Sequence, residues 1–111
     1  MVEHEGRVLD GQVAVVTGAS SGLGRATAIA MARAGAHVAL LARSARDLAE
    51  AVAEVEAAGQ RGLALPLDLA REEEVMVAIE RTRATFGRID VLVNAAGTDV
   101  PGSVATLATG D

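Results

Sequence analysis

Val13-Ala-Val-Val-Thr-Gly-Ala-Ser-Ser-Gly-Leu-Gly24 joins a β-branched apolar run to a turn with glycines at positions 18, 22 and 24. The run at 12–17 has no polar alternation, so it reads as a strand buried on both faces. The glycines permit a tight turn and a close approach of backbone to a ligand. A helix starting at Gly22 would aim its free N–H groups and positive dipole end at that turn. Strand, glycine turn and helix in this order make a cradle for the pyrophosphate of a dinucleotide.

The chain alternates outward from this turn. Gly22 to Arg33 carries Leu23, Ala26, Ile29 and Ala30 at helical spacing, and Gly35 stands where a helix stop is expected. His37 to Ala42 reads as a second buried strand. Ser44 with Asp47 three positions on is an acidic variant of the capping box, so a second helix starts near Ala45. Its apolar face uses Leu48, Val52 and Val55, its polar face Glu50, Glu54 and Glu56, and Gly59 ends it. A third strand covers 62–67 and a third helix 71–86, with Val75, Ala78, Ile79, Thr82 and Phe86 on one side and Glu72 to Glu74 in the first turn. Ala70, at the expected N-cap, offers no side-chain acceptor, and Gly87 is the stop. Val91 to Asn94 follows as a fourth strand, after which a loop is expected to run to the end of the chain.

Strands alternating with helices through short links predict an α/β fold with a parallel sheet. The expected architecture is the N-terminal half of a Rossmann-type doubly wound sheet, with four strands in the order 3-2-1-4 and three helices. The first two helices would cover one face and the third the other. Residues 1–111 then form a single partial domain, with an extension over 1–10 and a truncated loop over 98–111. The fourth strand is expected at an edge, which predicts self-association of the chain.

Composition narrows the function. Half of the residues are hydrophobic, enough for a buried core. The formal charge of −5 is spread over interspersed Arg and Glu, and Phe86 is the single aromatic residue, which argues against nucleic-acid binding. There are no cysteines, and His4 and His37 are far apart, so no metal site is expected. No apolar run approaches the ~20 residues of a membrane span, and the first seven residues hold no apolar signal core; a cytoplasmic protein is the expectation.

Thr17-Gly-Ala-Ser-Ser-Gly-Leu-Gly24 resembles the TGxxxGxG turn of the short-chain dehydrogenase/reductase family. Asn94-Ala-Ala-Gly97, about seventy residues later, is similar to that family's NNAG motif after the fourth strand. The resemblance implies cofactor contacts from Gly18, Ser20, Ser21, Gly22, Leu23 and Gly24, with Gly18 allowing the turn, Gly22 the approach to phosphate and Gly24 the packing of helix on sheet. It places Ala95, Ala96 and Gly97 beside the adenine ribose and gives Asn94 mainly a bracing role between strands. It puts Asp68 and Leu69 against the adenine ring, although an Asp near a helix start is also ordinary turn chemistry.

Members of the family that prefer NAD place a carboxylate for the ribose 2′-hydroxyl after the second strand. Here Ala42 stands at that strand's end and Arg43 follows, a guanidinium suited to a 2′-phosphate, so NADP(H) is expected over NAD(H). The plain alternative is a solvated Arg before a helix.

The family's reaction uses a Tyr as general acid or base, with a Lys four residues on that lowers the Tyr pKa. This chain has no Tyr, and all ten of its basic Lys or Arg residues are Arg, so no catalytic residue is assigned. Ser103 has no base near it in the sequence. The resemblance therefore implies the cofactor-binding half of an NADP(H)-dependent oxidoreductase, whose homo-oligomer-forming helices and substrate loop lie beyond Asp111. A non-catalytic nucleotide-binding module or sensor is a different reading. A methyltransferase using S-adenosylmethionine leaves Thr17 and the Asn94 motif without a role. A phosphate-binding NTPase loop fails because Arg25, not Lys-Ser or Lys-Thr, follows the glycines.

Overall fold

The computed structural model describes residues 8–95 and the backbone of 106–108. Its sheet is built from β1 (Val13–Thr17), β2 (His37–Ala42), β3 (Gly62–Pro66), β4 (Val91–Asn94) and β5 (Thr106–Ala108), with α1 (Gly22–Arg33), α2 (Ala45–Ala57) and α3 (Glu72–Phe86) between the first four. The spatial order is β3-β2-β1-β4-β5. The pairs β1–β2, β2–β3 and β1–β4 are parallel, with Ala14 opposite both Val38 and Val91.

Period-two alternation divides the strands between two cores. Ala14, Val16, Val38, Leu40, Val91 and Val93 pack with Ala28 and Ala32 of α1 and Leu48, Ala51 and Val55 of α2. Val15, Ala39, Leu41 and Leu65 face the opposite way, with Leu92 of β4 packed beside them, and meet Ala78 of α3 and Ile89 from the link before β4. The helices thus lie two on one face and one on the other. All five residues of β1 are buried, as its uninterrupted apolar run requires.

The face that α1 buries differs from the expected one. Gly24, Ala28 and Ala32 form its buried stripe, whereas Ala26 and Ala30 are exposed, Ile29 is half-buried and Leu23 is 58% exposed. This helix is apolar nearly all round, so periodicity alone does not choose a face. Proximity chooses it: a Cβ on Gly24 would overlap the Gly18 carbonyl oxygen and lie 2.6 Å from its carbon. Only the smallest side chains fit where α1 leaves the turn.

The second helix starts as its sequence implies, with the Ser44 hydroxyl accepting the Asp47 N–H at 3.1 Å. In α3 the N-cap is Arg71, one residue beyond Ala70, and no side chain caps the helix. Three glutamates in its first turn offset part of that loss through the helix dipole. Buried Thr82 donates its hydroxyl to the Ala78 carbonyl at 2.8 Å, so its polarity is satisfied within the helix.

The C-terminal stretch also departs from expectation. Instead of a continuous loop over 98–111 with β4 at the edge, β5 pairs antiparallel to β4, with Leu92 opposite Leu107. That strand covers the β4 edge on which the expected self-association depended. Thr106-Leu-Ala108 is too short to show a strand period. Ser103, Ala96 and Gly97 lie outside the described residues.

At the opposite end of the strands from the glycine turn, His37 and Phe86 stack with ring centroids 5.6 Å apart. The Arg61 guanidinium lies 5.0 Å from the Phe86 centroid, and His37 Nδ1 accepts the Arg61 N–H. The sole aromatic residue therefore ties the start of β2 and the residue before β3 to the end of α3.

Candidate nucleotide site

The parallel strands bring their C-terminal ends together at the point where the chain turns from the β1–β2–β3 side to β4, the crevice in which open α/β sheets bind ligands. Four pieces meet there: the glycine turn after β1, Arg43 after β2, Asp68 and Leu69 after β3, and Asn94 with Ala95 at the end of β4.

The glycine turn is fixed from below. Gly18 has φ +64° and Gly22 φ +59°, a region that disfavours residues with a Cβ. Buried Ala19 donates its N–H to the Leu41 carbonyl at 3.2 Å, pinning the turn to β2. Around Gly22 the space is open, since a Cβ there would meet nothing within 4 Å. Ser21 is the N-cap of α1, yet its side chain makes no capping bond, and the first turn holds no acidic residue. The other two helices have acidic first turns, and α2 also has a serine cap. The N–H groups opening α1 have no acceptor from the helix itself, and positive potential accumulates at that end. Ser20 is half-buried, and Ser21 and Leu23 are exposed at the same mouth.

Thr17 holds the two sides of the crevice together. Its buried hydroxyl donates to Asn94 Oδ1 at 2.9 Å and accepts the Ala95 N–H at 3.1 Å. One short side chain thereby couples the end of β1 to the segment leaving β4. Sequence reasoning carried Thr17 only as a letter of a motif. The available signal was a hydroxyl at the last position of an otherwise apolar strand. Beside it lies a cleft of about 300 Å³, lined by Thr17, Leu41, Leu69, Val75, Leu92 and Asn94 among others.

Arg43 and Asp68, twenty-five residues apart in sequence, form an ion pair across the ends of β2 and β3, with Nη2 to Oδ2 at 3.4 Å. The Arg43 side chain is 78% exposed. Asp68 is held more firmly: Oδ1 accepts the Ala70 N–H at 3.0 Å and its own N–H donates to Glu74 Oε1 at 2.9 Å. The Ala70 bond, helped by the Arg43 charge, holds the Asp68 carboxyl below the usual carboxylate range. Ala42, at the end of β2, is buried and offers no carboxylate. Among the described residues there is no cluster suited to a metal ion and no helix long and apolar enough to cross a membrane.

A parallel sheet in the order 3-2-1-4 with a glycine turn at its crevice defines the Rossmann-type doubly wound class. The short chain dehydrogenase family model matches residues 12–111. The chain belongs to the short-chain dehydrogenase/reductase family. L-rhamnose 1-dehydrogenase (NAD(P)(+)) of Sphingomonas sp. strain SKA58 is 42% identical over 92 residues, which cover 82% of this chain and 36% of the relative. L-sorbose reductase of Gluconobacter frateurii, solved with NADPH and L-sorbose, superposes with a TM-score of 0.78 at 44% identity, covering 84% of this chain and 36% of that one. NAD+-bound xylitol dehydrogenase gives 0.77 at 36% identity, over 80% and 34%. The chain thus spans about a third of the length of the relatives it matches.

Proposed function

We propose that this chain is the cofactor-holding part of an NADP(H)-dependent oxidoreductase that moves a hydride between the nicotinamide and a carbonyl or alcohol carbon. The observation that carries the reading is the start of α1: no side-chain cap, no acid in its first turn, and open space before a glycine at φ +59°. An anion can approach the N–H groups there without meeting a Cβ. The residues therefore fit a pyrophosphate.

On this reading Gly18, Ser20, Ser21, Gly22 and Leu23 surround the pyrophosphate, while Gly24 lets α1 start close enough to reach it. Thr17 and Asn94 position the segment of Ala95, Ala96 and Gly97 beside the adenine ribose. Asp68 and Leu69 flank the adenine. The bound nicotinamide would supply the hydride acceptor or donor. No Tyr or Lys occurs in these 111 residues, so none of them is assigned the accompanying proton transfer. The same reading takes the whole protein to be cytoplasmic and homo-oligomeric.

The preference for a 2′-phosphate is supported by Arg43 and by the absence of a carboxylate at Ala42. The related structures include both NADPH and NAD+ complexes, so the family alone does not decide it. Titration calorimetry with NADPH and NADH tests the reading. NADPH should bind more tightly than NADH, and Arg43→Ala should remove the difference. Equal binding of the two cofactors by the unaltered chain would refute the preference.

A further inference from the structure

We propose that Asp68 is a selectivity gate on Arg43: it engages the guanidinium when the nucleotide ribose carries a 2′-hydroxyl and yields it when the ribose carries a 2′-phosphate. The proposal rests on the nucleotide site described above and adds a residue that weakens its discrimination.

The geometry distinguishes a fixed partner from a mobile one. Asp68 is fastened at its side chain by the Ala70 N–H and at its backbone by Glu74. Glu74 is in turn paired with Arg71 Nε at 3.3 Å. Among the described residues Arg43 has a single long contact, 3.4 Å through one nitrogen, on a side chain 78% exposed. Charge-assisted bonds close to about 2.7–2.9 Å when both partners are free to optimise them. The pair therefore restrains Arg43 without locking it, and Arg43 is the member able to move.

A 2′-phosphate carries up to two charges and can accept two parallel bonds from one guanidinium, so it outcompetes a single contact to a carboxylate. A 2′-hydroxyl has no such advantage and leaves the pair closed. Binding a 2′-phosphorylated nucleotide then includes the loss of the Arg43–Asp68 contact, and Asp68 lowers the preference that Arg43 creates. An exposed ion pair of this kind sets the size of the effect at about two- to fivefold in affinity.

The test uses the 111-residue chain and two probes for the adenosine half of the site, 2′,5′-ADP and 5′-ADP, titrated to millimolar concentration by NMR. The readout is the ratio of their affinities, with no dependence on turnover. Asp68→Asn keeps an acceptor for the Ala70 N–H but loses the charge, and it should raise the preference for 2′,5′-ADP by about two- to fivefold. Asp68→Ser, whose hydroxyl can also accept from Ala70, replaces it should the Asn variant not fold. In an Arg43→Ala background the same Asp68 change should leave the ratio unmoved.

An unchanged ratio in Asp68→Asn overturns the gate and leaves the cofactor preference standing if Arg43→Ala still abolishes it. A lowered ratio means that Asp68 positions Arg43 for phosphate, which also overturns the gate. A rise that persists without Arg43 is simple repulsion between Asp68 and the phosphate and overturns it as well. No preference in the unaltered chain refutes the 2′-phosphate preference and the gate with it, and no binding of either probe refutes the nucleotide site itself.

Discussion

Replacing Gly24 by Ala tests how the glycine turn is built. At this third residue of α1, Ala would gain about 1 kcal/mol of helix propensity over Gly. The added Cβ, however, overlaps the Gly18 carbonyl oxygen, lies 2.6 Å from the Gly18 carbonyl carbon and 3.2 Å from the Thr17 oxygen. All three are backbone atoms of a turn held by the Ala19 and Thr17 bonds, so no side-chain rotation relieves the clash. Restoring ordinary carbon–carbon contact of ~3.5 Å already moves α1 or the turn by at least about 0.9 Å, and the oxygen overlap demands more. That shift loosens the contacts of Ala28 and Ala32 with the sheet. Overpacking at the upper end of its usual range, with lost contacts added and the propensity gain subtracted, gives a net loss of about 2–4 kcal/mol. Urea denaturation followed by circular dichroism measures it. Gly22→Ala is the contrasting control: it meets nothing within 4 Å and loses only the ~1–2 kcal/mol of a left-handed conformation. A Gly24→Ala chain that unfolds at the same urea concentration as the unaltered one would refute the close-approach argument.

Thr17→Val should cost about 1–3 kcal/mol, because the Asn94 and Ala95 groups lose their shared partner, while Thr17→Ser should retain most of the stability; urea denaturation of the two variants separates hydroxyl from shape. Asp90, which accepts the Val13 N–H at 2.8 Å and pairs with Arg88, is held below the usual carboxylate range by the Arg88 bond first and the Val13 N–H next, against the opposing effect of burial. Because its folded-state pKa is depressed, the stability it contributes is complete above the ordinary ~3.9 and is lost as pH falls through the lower folded-state value. Asp90→Asn should therefore lose about 1–3 kcal/mol at neutral pH and flatten the acid limb of the stability profile below about pH 4. An acid limb as steep as in the unaltered chain would remove Asp90 from that role.

Much of the fold was readable because its strands are apolar runs bounded by glycine and turn residues. His37–Ala42 and Val91–Asn94 have the bounds expected of them, and Ser44 with Asp47 marks the start of α2. What was not readable depends on distance in space. The stripe Gly24, Ala28 and Ala32 is selected by a backbone carbonyl on the preceding turn, which no helical period contains. The strand Thr106–Ala108 exists through pairing with β4 and carries almost no local signal. Within the site, glycine positions and the strand-end Arg43 could be named from sequence. The Arg43–Asp68 pair and the Thr17 bridge could not, because both join residues from different strand ends.

The most direct test of the central claim is an amide NMR titration of this chain with NADPH. The account predicts that the largest shifts fall on Ser20, Ser21, Gly22, Leu23 and Gly24 at the start of α1, with further changes at Arg43 and Asp68. Shifts that spare the glycine turn, or that cluster at His37, Arg61 and Phe86 at the opposite end of the sheet, would contradict it.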